Sequence, residues 1–156
     1  MKTNAEGLRL IKQFEGLRLE AYVDAVGVRT IGYGHTSSVK PGDTISEADA
    51  ERLLREDIAK TEAAIAKLLG VPVNGNEFSA LVSLAYNIGA ANFAKSSVRK
   101  RLNTGDRAGA AAAILLWAKG RVNGKLKVLS GLARRRAAER ALFLKPDLPI
   151  SQSVSH

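Results

Sequence analysis

Lys12–Thr36, KQFEGLRLEAYVDAVGVRTIGYGHT, sets the acids Glu15 and Asp24, the hydroxyl of Thr30 and the imidazole of His35 among glycines. Glu15 stands where a helical pattern stops at Gly16, Asp24 opens the turn Asp24-Ala25-Val26-Gly27, and Thr30 and His35 lie on the strand-like run behind it. Their spacings are nine, six and five residues. Just upstream, Thr3-Asn4-Ala5-Glu6 has capping-box spacing, which predicts a first helix from about Asn4 to Phe14 with Leu8, Ile11 and Phe14 on its apolar face. From Leu17 the period becomes two, with Leu17, Leu19, Ala21 and Val23 on one side and Tyr22 and Asp24 on the other. Val28 to His35 reads as the antiparallel partner, where Gly27, Gly32 and Gly34 keep side chains off a backbone that another group approaches.

Downstream the pattern turns helical. Ser46-Glu47-Ala48-Asp49 starts a helix of about 46–69 with Leu53, Leu54, Ile58, Ile65 and Leu68 as its stripe and Gly70 and Pro72 as its stop. Such a helix is ~35 Å long, more than one small lobe needs. It reads as the connector between lobes of about 1–60 and 70–148 with a cleft between them. Asn74 and Glu77 have cap spacing before Phe78–Ile88, Asp106 can cap Arg107–Ala118, and Gly131–Leu144 is rich in helix formers. Ile114, Leu115 and Leu116 place Trp117 in the core of the second lobe. Residues 119–130 are polar and glycine-containing and receive no assignment, and 149–156 read as a disordered tail. The expected class is α+β, mostly helical, a single domain over 1–148.

Composition narrows the chemistry. The 156 residues include no cysteine and only two histidines, His35 and His156, so a zinc site is not expected. No run approaches the ~20 apolar residues of a membrane span, so neither signal peptide nor membrane anchor is expected. The net charge of +9 is unevenly spread: residues 1–94 carry 10 Lys/Arg against 12 Asp/Glu, and residues 95–145 carry 14 against 2. The second half therefore attracts polyanions, whether nucleic acid, anionic lipid or acidic wall polymer. No nucleic-acid-binding motif accompanies it.

Carboxylates are disfavoured in the last turn of a helix, where the dipole is negative, so Glu15 needs a reason other than helix stability. The helix-Glu-Gly element, Tyr22-x-Asp24, the run Gly27-x-x-Thr30-Ile31-Gly32-x-Gly34-His35-Thr36, Ala80–Gly89 and Gly131–Arg136 together resemble the phage-type lysozymes, glycoside hydrolase family 24, over residues 5 to 145. The resemblance implies a lysozyme-like two-lobed fold, with a small antiparallel sheet in the N-terminal lobe and a helical C-terminal lobe. It implies Glu15 as general acid, with Asp24 and Thr30 holding the attacking water on the opposite sugar face and hence inversion. Tyr22 would support the site and His35 would hydrogen-bond between lobes beside the substrate. Tyr86 and Asn87 would contact sugar, and Arg135 within Arg134-Arg135-Arg136 would point at Glu15.

The activity so implied is an endolysin-type muramidase that cuts the β-1,4 bond between N-acetylmuramic acid and N-acetylglucosamine of peptidoglycan. It needs no cofactor or metal, has no nucleic-acid partner and is expected to be a monomer. The chain would be made in the host cytoplasm and reach the wall after a separate pore-forming phage protein opens the membrane. Two other readings stay open: a lytic transglycosylase, which needs no second carboxylate, and a non-enzymatic basic module that binds wall, membrane or nucleic acid.

Overall fold

The computed structural model describes residues 1–147. Its first helix, α1 (Ala5–Glu15), is capped by Asn4, whose side chain accepts from the Gly7 N–H at 2.9 Å. Thr3, the expected capping hydroxyl, is drawn away instead, its N–H and Oγ1 both donating to Glu62 at 2.6 and 2.8 Å. Glu6 pairs with Lys145 at 2.6 Å, so the expected capping box does not close. The long-range partners outcompete the local one.

Strands β1 (Arg18–Val23) and β2 (Arg29–Gly32) form the predicted antiparallel hairpin, with Tyr22 opposite Thr30. Its turn is closed by Gly27 N–H donating to the Asp24 carbonyl at 3.0 Å, and Gly27 takes the left-handed φ of +87° that this turn demands. β2 stops at Gly32, earlier than expected, because the chain doubles back at once: Ile31 and His35 exchange backbone hydrogen bonds of 2.9 Å each. The alternation on β1 does not translate into a buried face, since Leu19 and Val23 are exposed.

Ser46 caps α2 (Glu47–Leu68), and the far end of that helix is held by Arg99 and Asn103, both donating to the Leu68 carbonyl. In α3 (Gly75–Ile88) the Asn74–Glu77 capping box is complete, and every residue from Asn76 to Ala85 is buried. A helix buried all round occupies the centre of its fold. Against it pack α1, α2, α4 (Ala90–Lys95) and α7 (Ser130–Leu144), while α5 (Ser97–Asn103) and α6 (Arg107–Ile114) pack on each other and join through α4 and α7. One core cluster runs from Leu10 and Ile11 through Leu54, Phe78, Phe93 and Ile114 to Phe143. By this packing α1 belongs with the helices that follow it, whereas Ile31 and Ala50 are buried apart from the cluster.

The C-terminal half is not purely helical. α6 ends at Ile114, short of the expected Ala118, and Lys119–Val122 and Lys125–Val128 form a second antiparallel hairpin, β3–β4. Leu115 and Leu116 are exposed, against the expectation of core, while Trp117 is partly buried and packs on the cluster. The fold is thus α+β and mostly helical with two small sheets. The proposed tail lies outside the described residues.

Candidate active site

Glu15 is the last residue of α1, placed by Gly16, whose φ of +73° ends the helix while its N–H bonds the Lys12 carbonyl at 3.0 Å. Glu15 Oε2 accepts from Arg135 Nη1 at 2.7 Å. Arg135, buried on α7, also donates from Nε to Glu139 Oε2 at 3.1 Å and from Nη2 to the Ser83 carbonyl at 3.1 Å. Glu139 is fully buried, and its carboxylate takes the Ser83 hydroxyl at 2.6 Å and Arg136 Nη1 at 2.5 Å. Arg136 continues to the Trp117 carbonyl at 2.8 Å and to Asn87 Oδ1. Two guanidiniums thus face two carboxylates, and no buried side-chain N or O among the described residues lacks a partner. A buried charge group of this kind is tolerable only when it is neutral and saturated.

On its other side Glu15 meets Gly34 across the turn that follows β2. A Cβ at Gly34 would lie 2.9 Å from Glu15 Oε1, so only glycine lets the backbone come so close, and its φ of +86° suits glycine as well. The Tyr86 hydroxyl donates to the Tyr33 carbonyl at 3.1 Å in the same turn. Burial, reinforced by the carboxylates of Asp57 and Glu15 and opposed by Arg135, pushes the Tyr86 phenol well above its ordinary pKa. His35 Nδ1 lies 2.7 Å from Asp57 Oδ2 and so ties this turn to α2.

Two depressions meet at Glu15. One, of about 410 Å³, is lined by Gly34, Asp57, Lys60, Tyr86 and Asn87, and the other, of about 670 Å³, by Phe14, Asn87, Leu129, Leu132 and Arg135. Glu15 and Asn87 line both. The structure therefore brings together Glu15, Tyr86, Asn87 and Arg135 of the expected set. His35 borders a separate hollow behind the turn with Ile31, Thr44 and Leu53.

Tyr22, Asp24 and Thr30 stand on the β1–β2 hairpin and line neither depression. Asp24 Oδ1 accepts the N–H groups of Val26 and Val28 at 3.0 and 2.8 Å, while Oδ2 has no hydrogen-bond partner among the described residues. Thr30 is buried and its hydroxyl donates to the Val28 carbonyl at 3.0 Å. Tyr22 is opposite Thr30 in the ladder and carries the Arg18 guanidinium 4.2 Å from its ring centroid.

Four residues of the site were not expected: Gly34 in its contact with Glu15, Asp57, Ser83 and Glu139. Glu139 has a sequence signal, since it follows Arg135 and Arg136 by four and three residues, the spacing of helical ion pairs. Asp57 has none, as one acid among several on α2. Among the described residues no group of three or more His, Cys, Asp or Glu side chains is placed to hold a metal ion.

Known proteins similar to the chain include phage endolysins and a muramidase domain. The chain is 47% identical over 143 residues to the endolysin of Acyrthosiphon pisum secondary endosymbiont phage 1, covering 92% of this chain and 98% of that one. Its structure matches the muramidase domain of SpmX from Asticaccaulis excentricus with a TM-score of 0.89 at 43% identity, covering 93% and 99% of the two chains. It matches the endolysin from Escherichia coli O157:H7 phage FAHEc1 with a TM-score of 0.88 at 42% identity, covering 96% and 97%. Residues 12–139, from the start of the Glu15 motif to the buried Glu139, match the family model described as Phage lysozyme, and the chain belongs to that family.

Proposed function

We propose that the chain is an endolysin-type muramidase in which Glu15 protonates the leaving oxygen while Asp24 and Thr30 hold the attacking water. Lysozyme activity on peptidoglycan follows from membership of the phage lysozyme family. The observation that carries the residue assignment is the fixing of Glu15 Oε2 by Arg135 where two depressions meet. With Oε2 occupied, Oε1 on the Gly34 side is the oxygen that delivers the proton, and the guanidinium stays in place to hold the carboxylate left behind.

The hairpin supports the second half of the reaction. Oδ1 anchors Asp24 to the turn, so Oδ2 is left to take a proton from water. The Thr30 hydroxyl spends its own proton on the Val28 carbonyl and keeps lone pairs for that water. Attack from the face opposite the acid inverts the anomeric carbon. Tyr86 and Asn87 offer an apolar ring and an amide to the sugar, and Tyr22 supports Asp24 from the same hairpin face. His35 acts through Asp57, fixing the turn that carries Gly34. The bond cut is the β-1,4 link from N-acetylmuramic acid to N-acetylglucosamine. Reaching it from the host cytoplasm takes a membrane opened by a separate pore-forming protein.

The deciding experiment digests purified peptidoglycan and reads the products by mass and by proton resonance of the new anomeric centre. Free reducing ends of inverted configuration are expected, with Glu15→Gln and Asp24→Asn both nearly inactive. An anhydro-sugar product would replace this reading with a transglycosylase, and retained configuration would make Asp24 a nucleophile.

A further inference from the structure

The β3–β4 hairpin has no part in the site described above and is exposed at every residue but Gly120. Its turn is formed by Asn123 and Gly124, both with positive φ (52° and 77°), the geometry that matches strand twist in two-residue hairpins. It is fastened at its base, where the Leu129 N–H donates to the Ala118 carbonyl at 2.9 Å. A two-stranded hairpin is marginal by itself, so a hairpin that shows its apolar side chains to solvent calls for a reason.

Register sorts the side chains. Lys119 faces Val128 and Arg121 faces Leu126, which puts these four on one face, while Gly120 faces Lys127 and Val122 faces Lys125 on the other. A Cβ at Gly120 would lie 2.5 Å from Leu129 Cδ1 and 3.9 Å from Leu132 Cδ1, so the Gly120 face is turned toward the start of α7. The face of Lys119, Arg121, Leu126 and Val128 therefore points outward. Its apolar members are more than half exposed, Leu126 at 59% and Val128 at 63%. Leu115 and Leu116, also exposed, lead into the hairpin. No ion pair among the described residues involves Lys119, Arg121, Lys125 or Lys127.

We propose that the outer face of the β3–β4 hairpin, Lys119 and Arg121 beside Leu126 and Val128, is a docking surface for an anionic lipid bilayer. Charge complementarity alone would suit any polyanion. A glycan-peptide wall or a nucleic acid, however, gives exposed Leu and Val nothing to enter, whereas cations beside apolar side chains match lipid phosphates above acyl chains. Residues 95–145, with 14 cations against 2 anions, supply the longer-range attraction. Docking is independent of the muramidase reading, because it is measured as binding without turnover.

The test uses the full chain with sedimented vesicles of phosphatidylethanolamine and phosphatidylglycerol, against vesicles of phosphatidylcholine. Binding to the anionic vesicles alone is expected, and K119Q/R121Q should lower the partition coefficient about fivefold per charge removed. L126S/V128S should keep most binding at low salt but lose the fraction that survives at 1 M salt, where the screening length is ~3 Å. Trp117 is the sole tryptophan, so L126W in a W117F background puts the only indole on the outer face. Its emission should shift to the blue and be quenched by lipids brominated in their acyl chains. Unshifted emission from vesicle-bound protein overturns the proposal. So does an equal loss of binding to purified peptidoglycan and to vesicles in K119Q/R121Q, which would make the wall the occupant.

Discussion

Arg135 Nη1 and Glu15 Oε2 meet at 2.7 Å across 120 residues of chain, and the same guanidinium holds Glu139 from its Nε. The two bonds differ in consequence. Glu15 is partly exposed where the two depressions meet, whereas Glu139 is fully buried. Arg135→Met should therefore destabilise the fold by about 3–5 kcal/mol, the range for breaking a buried pair. Glu15→Gln, which leaves Arg135 paired with Glu139, should change stability by no more than ~1 kcal/mol. Urea midpoints for the two variants check this, and both should fail to lyse wall. Equal destabilisation would show that Glu15, not Glu139, balances the arginine.

Glu139 lies between two guanidiniums, and Glu139→Leu would leave Arg135 and Arg136 buried with only Glu15 to face. A loss of about 3–5 kcal/mol is expected. The double variant Glu139→Leu with Arg136→Met should recover a large part of it, because deleting a charge together with its partner removes the desolvation that the pair offsets. A double-mutant cycle in thermal unfolding measures that coupling. Additive losses would mean that Arg136 is held by Asn87 and the Trp117 carbonyl instead.

These two glutamates mark how far the sequence could be read. The Asn74–Glu77 box and the Asp24–Gly27 turn are contained in a few adjacent residues, and both form as their letters indicate. The first cap moves from Thr3 to Asn4 because Glu62 and Lys145, distant in sequence, claim Thr3 and Glu6. Asn123-Gly124 between Lys119–Val122 and Lys125–Val128 spells a hairpin with period-two alternation, but each strand is only four residues long and Gly120 interrupts the first, so the pattern is short. The contact of Gly34 with Glu15, and of His35 with Asp57, is set by how β2 folds back on α1 and α2. Gly34 signals a close approach and His35 a hydrogen bond, but no local pattern names their partners.

Gly34→Ala tests that close approach. The added methyl would sit 2.9 Å from Glu15 Oε1 at a backbone φ of +86°. The left-handed conformation costs a non-glycine residue roughly 1–2 kcal/mol, a modest loss in a chemical melt. The carboxylate, as the flexible end of its side chain, should yield first and move off its position against Arg135. Displacements of about 1 Å in a reacting group cost on the order of a hundredfold in rate. Turnover should therefore fall far more than stability or wall binding does, and an Ala variant with wild-type lysis would place proton delivery elsewhere.

Tyr86 gives the alkaline signature of the site. Its hydroxyl donates to the Tyr33 carbonyl, and burial together with Asp57 and Glu15 raises its pKa above the ordinary value of about 10. Above pH ~10 the unfolded chain releases this proton while the folded chain keeps it, so the unfolded state binds fewer protons and stability falls as pH rises. Below that pH both states hold the proton and this contribution is complete. Tyr86→Phe should lose about 1 kcal/mol at neutral pH through the missing hydrogen bond and should also lose this share of the alkaline decline. Urea melts from pH 8 to 11 should then converge, with wild type the steeper of the two. Parallel curves would show that Tyr86 ionises as readily in the folded chain as in the unfolded one. With its pKa raised above ~10 the folded chain's phenol stays protonated below that pH, so any alkaline limb in wall lysis below pH ~10 must belong to another group and should persist in Tyr86→Phe.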